Sequence, residues 1–389
     1  GSFFVSVILN IYGWQFELSG ELDFFYLRIW FLLWRIHKQL ILNMWRDNLL
    51  QSREIAMKTS NKFYLALFLL VSMVAGTAPA NATESISEKT CTAIQTAINL
   101  LPPEGGELVL SPGIYTCIHP IIIDRNNIIL RGSGAATLLR LADNTNAPVI
   151  VMGLAENVPS RATHHVRVSD LMIDGNRANQ TAECMGGPCS DAFPLRNNGI
   201  SIRRCIDCAV QSVTVFGAMS GGLVTELGCR RLTIRDYTSY DNEFDGLAGY
   251  ETEDSTFSGI HLYGNKAAGI STDIKFNNNK FYDVTITDNK TVGIFMRDSL
   301  DNSFTNLHIR DSVQHGIFLA QVNTDPATAA TGNTFTGVVI SRSGGMGILA
   351  NDASCINNMM VGAQFINNKH GCISEATAGL VENVGAICR

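Results

Sequence analysis

The sequence predicts an all-β protein built as a parallel β-solenoid. Three observations support this prediction: a period of about 23 residues runs through the second half of the chain, the same glycine-aliphatic pair recurs once in each period, and no helical periodicity falls between the repeats. One coil of a parallel solenoid has this length, with two or three short strands. A β-sandwich of regular hairpins would not explain a constant period with one fixed phase.

The chain opens with a segment that does not fit the repeat. Residues 1–56 are crowded with large apolar and aromatic side chains, and the segment does not begin with Met. We expect it to be a spurious or non-native N-terminal extension. A membrane hairpin is the alternative, but the apolar run at 23–34 is short and carries charges, so it is poorly suited to crossing a bilayer.

Residues 57–82 have the pattern of a secretory signal peptide. Lys58 and Lys62 form a basic start, an apolar run follows, and Ala80-Asn81-Ala82 is a small-x-small cleavage site. The sequence therefore predicts export, with a single mature domain over residues 83–389. We expect the protein to be secreted or periplasmic, with no membrane association in the mature form.

All ten cysteines follow the predicted cleavage site. An even number of cysteines in an exported chain indicates disulfides. Spacing alone does not fix the connectivity, and the pairs we expect are Cys91–Cys117, Cys184–Cys189 and Cys355–Cys372. Cys205-x-x-Cys208 also has the spacing of a metal or redox pair, but no second such pair follows it.

The first part of the mature domain has a specific signature. An amphipathic helix at residues 92–100 precedes "GGELVLSPGIY" and then an "IILRGSG" strand. From about Cys91 to the C-terminus, this order resembles the pectate-lyase-like right-handed parallel β-helix superfamily. The resemblance implies a right-handed solenoid with a short N-terminal capping helix. It does not fix the reaction, because that superfamily contains lyases, hydrolases, epimerases, transferases and non-enzymes.

Eight segments share a glycine followed by an apolar-leaning strand, and their glycines are Gly199, Gly222, Gly246, Gly269, Gly293, Gly316, Gly347 and Gly371. Successive glycines differ in sequence number by about 23 or 24, except for a longer step from Gly316 to Gly347. The longer interval contains "VNTDPATAATGN", which we interpret as a loop insertion. Repeated Asn residues, as in "NNNKF", "LDNSF" and "CINNM", predict tight corners with left-handed backbone.

The repeat predicts which way each side chain points. With each glycine as position zero, position +1 is always aliphatic and is expected to point inward, so +2 and +4 point outward. Position +4 reads Arg203, Glu226, Tyr250, Asp273, Arg297, Ala320 and Asn351. Position −1 includes Asp245 and His315. A groove along this outer face would offer each coil about one sugar unit of a chain, which suits an extended polysaccharide.

The first reaction that fits these residues is proton abstraction beside a uronate carboxylate, which gives β-elimination or C5 epimerisation. It needs a cation to neutralise the carboxylate and a group that exchanges a proton. "AGYETEDS" is loosely similar to the Asp-Pro-His-Asp/Glu region of mannuronan C5-epimerases, with Glu253 near the position of the His. "FMRDS" lies downstream, where those enzymes carry a cationic residue.

Two other functions remain open. Glu226 and Asp273 lie two coils apart, about 9.6 Å, near the upper end of the carboxylate separation of inverting glycosidases. The motifs of polygalacturonase-type hydrolases are absent apart from a His-Gly pair. The third alternative is a non-catalytic glycan-binding or surface-repeat protein. The net charge of −6 disfavours a nucleic-acid partner.

These arguments lead to one set of expected site residues. The catalytic residues are expected to be Tyr250, Asp273, Arg297 and His315. The substrate-binding residues are expected to be Arg203, Glu226, Asp245, Gln321 and Asn351. We expect no metal ligands and no certain cofactor, with Ca²⁺ as the one ion that could be held across coils. The expected partner is a polysaccharide, bound by a monomer.

Overall fold

The computed structural model describes residues 3–11, 14–22, 84–86, 88–183, 195–322 and 328–389. The chain divides into two compact units, Gly1–Ala80 and Asn81–Arg389. In the first unit, the strands Phe3–Ile11 and Trp14–Leu22 pair antiparallel. Residues 57–82, predicted to be a signal peptide, lie outside the described residues. None of the helices in the described ranges is long and apolar enough to cross a membrane.

The second unit is a parallel β-solenoid of about 11 turns, as the repeat predicted. Its strands stack along the axis in three sheets, which we call the wide, groove and short sheets. The wide sheet has 16 strands: Glu84–Ser85, Gly106–Val109, Gly113–Cys117, Ile128–Arg131, Thr137–Leu141, Arg167–Asp174, Ala209–Phe216, Thr233–Tyr240, Thr256–Tyr263, Lys280–Thr287, Ser303–Arg310, Thr334–Ser341, Asn358–Val361, Gln364–Ile366, Val381–Val384 and Ile387–Cys388.

The groove sheet carries the glycine-aliphatic repeat. Its 11 strands are Ile121–Ile123, Ile150–Met152, Ile200–Arg203, Leu223–Glu226, Leu247–Tyr250, Ile270–Asp273, Ile294–Arg297, Ile317–Val322, Thr328–Ala329, Ile348–Ala350 and Ile373–Glu375. The short sheet has four strands: Thr163–His164, Cys205–Ile206, Cys229–Arg230 and Thr252–Glu253. Within these three sheets the described strands pair in parallel, except that Thr328–Ala329 pairs antiparallel with Ile317–Val322.

A short helix, Cys91–Leu100, lies near the start of the solenoid, as predicted. Thr90 caps its N-terminus, because the Thr90 side chain accepts a hydrogen bond from the Ala93 N–H at 3.1 Å. The helix buries Ile94 and Ile98 in the core. Two 3-10 turns, Gly134–Ala136 and Arg177–Asn179, complete the helical elements of the described residues.

The inward position of the repeat is confirmed. The residues at position +1 are at most 1% exposed, and they are Ile200, Leu223, Leu247, Ile270, Ile294, Ile317 and Ile348. The repeated glycine precedes each of them because adjacent coils approach closely there. A Cβ added at Gly293 would lie 2.6 Å from the Gly316 carbonyl oxygen and 2.5 Å from Ile309 Cγ2. Any side chain at this position would push adjacent coils apart.

The core of the wide sheet contains a column of phenylalanine rings. The rings of Phe257, Phe281, Phe304 and Phe335 stack on consecutive coils, with centroid separations of 4.4, 4.4 and 5.0 Å. All four side chains are at most 1% exposed. Each ring therefore buries apolar surface, and Phe281 and Phe304 stack with a ring on both neighbouring coils.

The repeated asparagines have two roles, of which the sequence predicted one. In "NNNKF", Asn278 has the left-handed backbone expected of a corner, with φ of 54°. The next residue, Asn279, is fully buried and bonds to the neighbouring coil. The same division holds in "LDNSF" and "CINNM", where Asp301 and Asn357 turn the corner and the asparagine that follows is buried.

The buried asparagines form two ladders along the axis. One contains Asn242, Asn265 and Asn289, and the other contains Asn279, Asn302, Asn333 and Asn358. Asn302 shows the pattern: its Oδ1 accepts the backbone N–H of Asn279 at 2.9 Å and the side-chain N–H of Asn279 at 3.1 Å. Its own Nδ2 donates to Asn333 Oδ1 and to the Phe276 carbonyl oxygen, each at 2.9 Å.

Replacing Asn302 with alanine is expected to lower the free energy of unfolding by at least about 2 kcal/mol, because buried donors of Asn279 lose their acceptor. The measurement is a denaturant unfolding curve. Asn351→Ala, which alters an exposed asparagine, is the matched control and should change stability by less than about 0.5 kcal/mol. Equal losses in both variants would contradict the role of the ladder.

Three disulfides lie within the described residues: Cys91–Cys117, Cys205–Cys208 and Cys372–Cys388. The first was predicted. The predicted pair Cys355–Cys372 is wrong, because Cys355 points into the core as a free thiol while Cys372 bonds to Cys388 in the last coils. The pair Cys184–Cys189 lies outside the described residues. Several disulfides are typical of an oxidising compartment.

Candidate functional site

The functional candidates lie at the ends of consecutive strands of the groove sheet. Arg203 pairs in register with Glu226, and Tyr250 pairs with Asp273. Arg297 ends the next strand of the stack. The repeat positions all five because the +1 side chain of each strand is fixed in the core, which sets the facing of the residues that follow.

Asp273 and Arg297 form an ion pair between adjacent coils. Arg297 Nε donates to Asp273 Oδ2 at 2.9 Å, and Nη2 contacts the same oxygen. The backbone N–H of Ile274 donates to Asp273 Oδ1 at 2.9 Å. The hydrogen bond to Asp273 raises the pKa of the Arg297 guanidinium above its ordinary value.

The two partners of this ion pair differ in exposure. The Asp273 side chain is 7% exposed and that of Arg297 is 41% exposed. Both described hydrogen bonds of the guanidinium go from Nε and Nη2, so Nη1 is available to a ligand. Asp273 therefore orients Arg297, and Arg297 presents positive charge to the groove.

Tyr250 lies beside this pair with a strongly perturbed phenol. Burial raises the pKa of the Tyr250 hydroxyl above its ordinary value, and the charges of Asp245, Asp273 and Glu226 raise it further. Arg196 acts in the opposite direction. The phenol is therefore protonated at neutral pH. In the described residues its hydroxyl makes no hydrogen bond, so it is free to donate a proton to a bound ligand.

Arg203 does not face an open groove. Its Nε donates to Glu226 Oε1 at 2.8 Å, and its Nη atoms donate to the backbone carbonyl oxygens of Leu154, Glu156 and Asn157 at 2.6–3.0 Å. The Arg203 side chain is 3% exposed, whereas that of Glu226 is 30% exposed. A neighbouring loop therefore holds Arg203, which was expected from the sequence to bind substrate.

A cleft of about 350 Å³ opens next to the Asp273–Arg297 pair. It is lined by Asp245, Ala268, Ser271, Thr291, Val292, Phe295, Gln314 and Phe318. The rings of Phe295 and Phe318 stack with centroids 5.6 Å apart. The Arg297 guanidinium lies over Phe295, 5.6 Å from the ring centroid. The cleft therefore adjoins the cation of the ion pair.

Asp245 is the ionisable side chain that lines the cleft. Its Oδ1 accepts the backbone N–H of Ala268 at 2.8 Å. Burial of the carboxyl raises the pKa of Asp245 to about 6, against the Ala268 hydrogen bond and the charge of Arg196, which lower it. Unlike Glu226 and Asp273, Asp245 makes no ion pair with any described residue.

The remaining expected residues lie on later coils. His315 is about three coils from Tyr250, and its Nδ1 accepts the backbone N–H of Met346 at 3.0 Å. Burial, followed by the charge of His370, lowers the pKa of His315. The ring therefore favours its neutral form, and it contacts Phe318 at the far wall of the cleft.

Gln321 lies on the same coil as His315, and Asn351 lies one coil beyond it. Gln321 Oε1 accepts a hydrogen bond from Ser354 Oγ at 2.6 Å, and the Gln321 backbone N–H donates to Asp352. Asn351 is exposed, and its side chain donates to Asp352 at 3.2 Å. The structure brings Tyr250, Asp273 and Arg297 together with Asp245, and it places these two residues elsewhere.

The repeat showed that position +2 becomes apolar at one end, at Phe295 and Phe318, but the sequence analysis gave these two residues no role in the site. Phe295 and Phe318 occupy position +2 of consecutive coils, and the same position holds small side chains in the preceding coils, as at Ser271 and Ala248. This change from small to aromatic side chains was visible in the repeat and marks the cleft. Across the residues that the structure describes, no group of three or more His, Cys, Asp or Glu could hold a metal ion.

Residues 198–384 match the family model described as "Right handed beta helix region". This part of the chain is a right-handed β-helix. The match agrees with the parallel sheets and with the resemblance seen in the sequence. A comparison with curated protein sequences found no relative.

Solved structures similar to this right-handed β-helix include the A-module of the mannuronan C-5 epimerase AlgE6 of Azotobacter vinelandii, at 16% identity and a TM-score of 0.49, covering 78% of this chain and 96% of that one. An alginate lyase of Paenibacillus sp. has 12% identity and a TM-score of 0.47, and the match covers 78% of this chain and 98% of the lyase chain. The enzymatically active domain of bacteriophage CBA120 tailspike protein 2 has 13% identity and a TM-score of 0.51, and the match covers 71% of this chain and 40% of the tailspike chain. At these identities, the likeness is one of fold alone.

Proposed function

We propose that this exported β-helix binds an extended polysaccharide along the groove sheet and acts on a uronate unit by β-elimination or C5 epimerisation. The observation that carries the proposal is the Arg297 guanidinium, which Asp273 holds over the Phe295 ring at the wall of the cleft, with Tyr250 in register beside Asp273. This arrangement places a cation, a proton donor and an apolar wall side by side. The cleft volume of about 350 Å³ lies at the lower end of the range of ligand pockets.

Each step of the chemistry has a residue to perform it. Arg297 Nη1 receives the uronate carboxylate, which makes the C5 proton more acidic. Asp245, ionised at neutral pH and outside any described ion pair, accepts the C5 proton. Tyr250 donates a proton, either to the ring-linking oxygen in elimination or to C5 from the opposite face in epimerisation. The carbon-bound hydrogens of the sugar ring pack against Phe295.

Hydrolysis by two carboxylates is less well supported. Glu226 and Asp273 are the expected pair, but each forms an ion pair with an arginine of the groove sheet. Both carboxylates therefore already serve as hydrogen-bond acceptors for a guanidinium, and neither is left as an unpaired carboxyl group. An inverting hydrolase needs one protonated and one ionised carboxyl group.

The proposal is tested by incubating the protein with alginate, pectate, glycosaminoglycans and neutral glycans. Ultraviolet absorbance from an unsaturated product would identify a lyase, and exchange of the C5 proton without cleavage would identify an epimerase. New reducing ends without absorbance would favour hydrolysis instead. No reaction with any member of the panel would favour the non-catalytic binding protein.

Activity is expected to rise with pH through about 6, because Asp245 must lose its proton to act as a base. Below that pH, kcat/KM should fall about tenfold for each pH unit. Asp245→Asn should lose activity at every pH, while Asp283→Asn, which changes an exposed acid on the wide sheet, should keep the wild-type profile. A profile that is flat down to about pH 4.5 would remove Asp245 from the mechanism.

A further inference from the structure

The groove sheet is crossed by a loop at its N-terminal side. We call residues 153–161 the crossing loop; it follows the strand Ile150–Met152 and precedes the strand Thr163–His164. Its start packs directly on the next coil, since a Cβ at Gly153 would lie 2.1 Å from the Arg203 carbonyl oxygen. Most of its side chains are on the outside, and Val158 is 70% exposed.

Arg203 anchors the crossing loop. Its guanidinium donates to three backbone carbonyl oxygens of the loop and to Glu226. Arg204 adds a hydrogen bond from Nη1 to the Pro159 carbonyl oxygen at 2.6 Å. The buried charge of Arg203 would lose its partners if the loop lifted, and an unpaired buried charge is strongly unfavourable. The loop is therefore fixed in place by a specific set of contacts.

The crossing loop covers the end of the strand Ile200–Arg203. Arg203 occupies an outward position there, yet it is 3% exposed, because the carbonyl oxygens of the loop surround its guanidinium. One coil later, the Glu226 side chain is 30% exposed. A polysaccharide lying along the strand ends therefore reaches Glu226 but cannot continue over Arg203.

We propose that the crossing loop closes the groove, so that the protein binds and acts on the end of a polysaccharide rather than its interior. This inference rests on the proposed function and specifies how the same site is used. Tyr250 is one coil beyond Glu226, about 4.8 Å, so the reacting bond lies only one or two sugar units from the closed end. The products are then short and uniform in size from the start of the reaction.

Binding stoichiometry tests the inference without requiring turnover. The Tyr250→Phe variant is titrated with short and long chains of each polysaccharide in the panel, and the number of proteins bound per chain is measured by light scattering. End binding gives one protein per chain at both lengths. A number that grows in proportion to chain length would overturn the inference. Failure to bind any member of the panel would overturn the proposed function as well.

Product size gives a second, independent readout. If the proposed reaction is elimination, the wild-type protein should release a single short product while the viscosity of the polymer falls slowly. Early fragments of many sizes would contradict end-directed action even though the uronate chemistry was correct. The two proposals therefore fail in different ways.

Opening the loop should change both readouts. Arg203→Gln releases the loop carbonyls, and a variant with residues 155–158 replaced by two glycines removes the cover while retaining Arg203. We expect binding per chain to increase with chain length in both variants, and early products to become mixed. Arg235→Gln, an exposed arginine on the wide sheet, is the control and should behave as wild type. A folded, shortened-loop variant that still binds one protein per chain would show that the loop has only a structural role.

Discussion

Replacing Tyr250 with phenylalanine is expected to lower kcat by about 100- to 10,000-fold, the range that a positioned proton donor contributes. The exchange removes one oxygen and keeps the ring that fills the end of the strand. The Tyr250 hydroxyl bonds to no described residue, so the unfolding temperature should stay close to that of the wild type. Initial rates on the polysaccharide that reacts in the panel are the measurement.

Tyr240→Phe is the matched control for this experiment. Tyr240 is also half-buried, and burial also raises the pKa of its hydroxyl, but it lies on the wide sheet and stacks between Phe216 and Tyr263. Removing its hydroxyl should leave the rate unchanged. Wild-type turnover by Tyr250→Phe, or an equal loss in both variants, would remove Tyr250 from the chemistry.

Replacing Phe281 with alanine is expected to lower the free energy of unfolding by about 3–5 kcal/mol. The ring is fully buried and stacks with Phe257 and Phe304, each at 4.4 Å between centroids. Its removal leaves a cavity that the neighbouring coils cannot fill, because their backbones are fixed by hydrogen bonds on both sides. Denaturant unfolding monitored by circular dichroism provides the measurement.

The adjacent residue supplies the control for Phe281. Tyr282 points outward from the same strand and is 38% exposed. Tyr282→Ala should therefore cost less than about 1 kcal/mol. Similar losses from the two substitutions would mean that the column of rings does not carry the stability assigned to it.

The repeat predicted the fold because the same physical requirement acts in every coil. A glycine is needed where coils approach closely, as at Gly293, and the next residue must be aliphatic because it enters the core. These requirements appear in the sequence as a fixed period and phase. Counting residues from the repeated glycine also predicts that the side chains of Tyr250, Asp273 and Arg297 point outward.

Contacts between distant segments could not be predicted in this way. The sequence placed Arg203 on the open face, since position +4 points outward, but the carbonyl oxygens that bury it belong to a loop about 50 residues earlier. The pairing of Cys372 with Cys388 similarly depends on where the last coils place their side chains. Neither contact leaves a periodic signal in the sequence.

The asparagine ladders have a consequence for how such a chain can vary. Asn279 and Asn302 are 23 residues apart, whereas Asn302 and Asn333 are 31 apart, yet both pairs make the same two hydrogen bonds at 2.9–3.1 Å. The longer interval therefore leaves the stacking of the coils unchanged. The segment between two buried asparagines therefore tolerates insertions as long as their side-chain amides remain aligned along the axis of the solenoid. The segment that follows the groove strand Ile317–Val322 is thus a natural position for grafting a foreign peptide without disturbing the stacking of the coils.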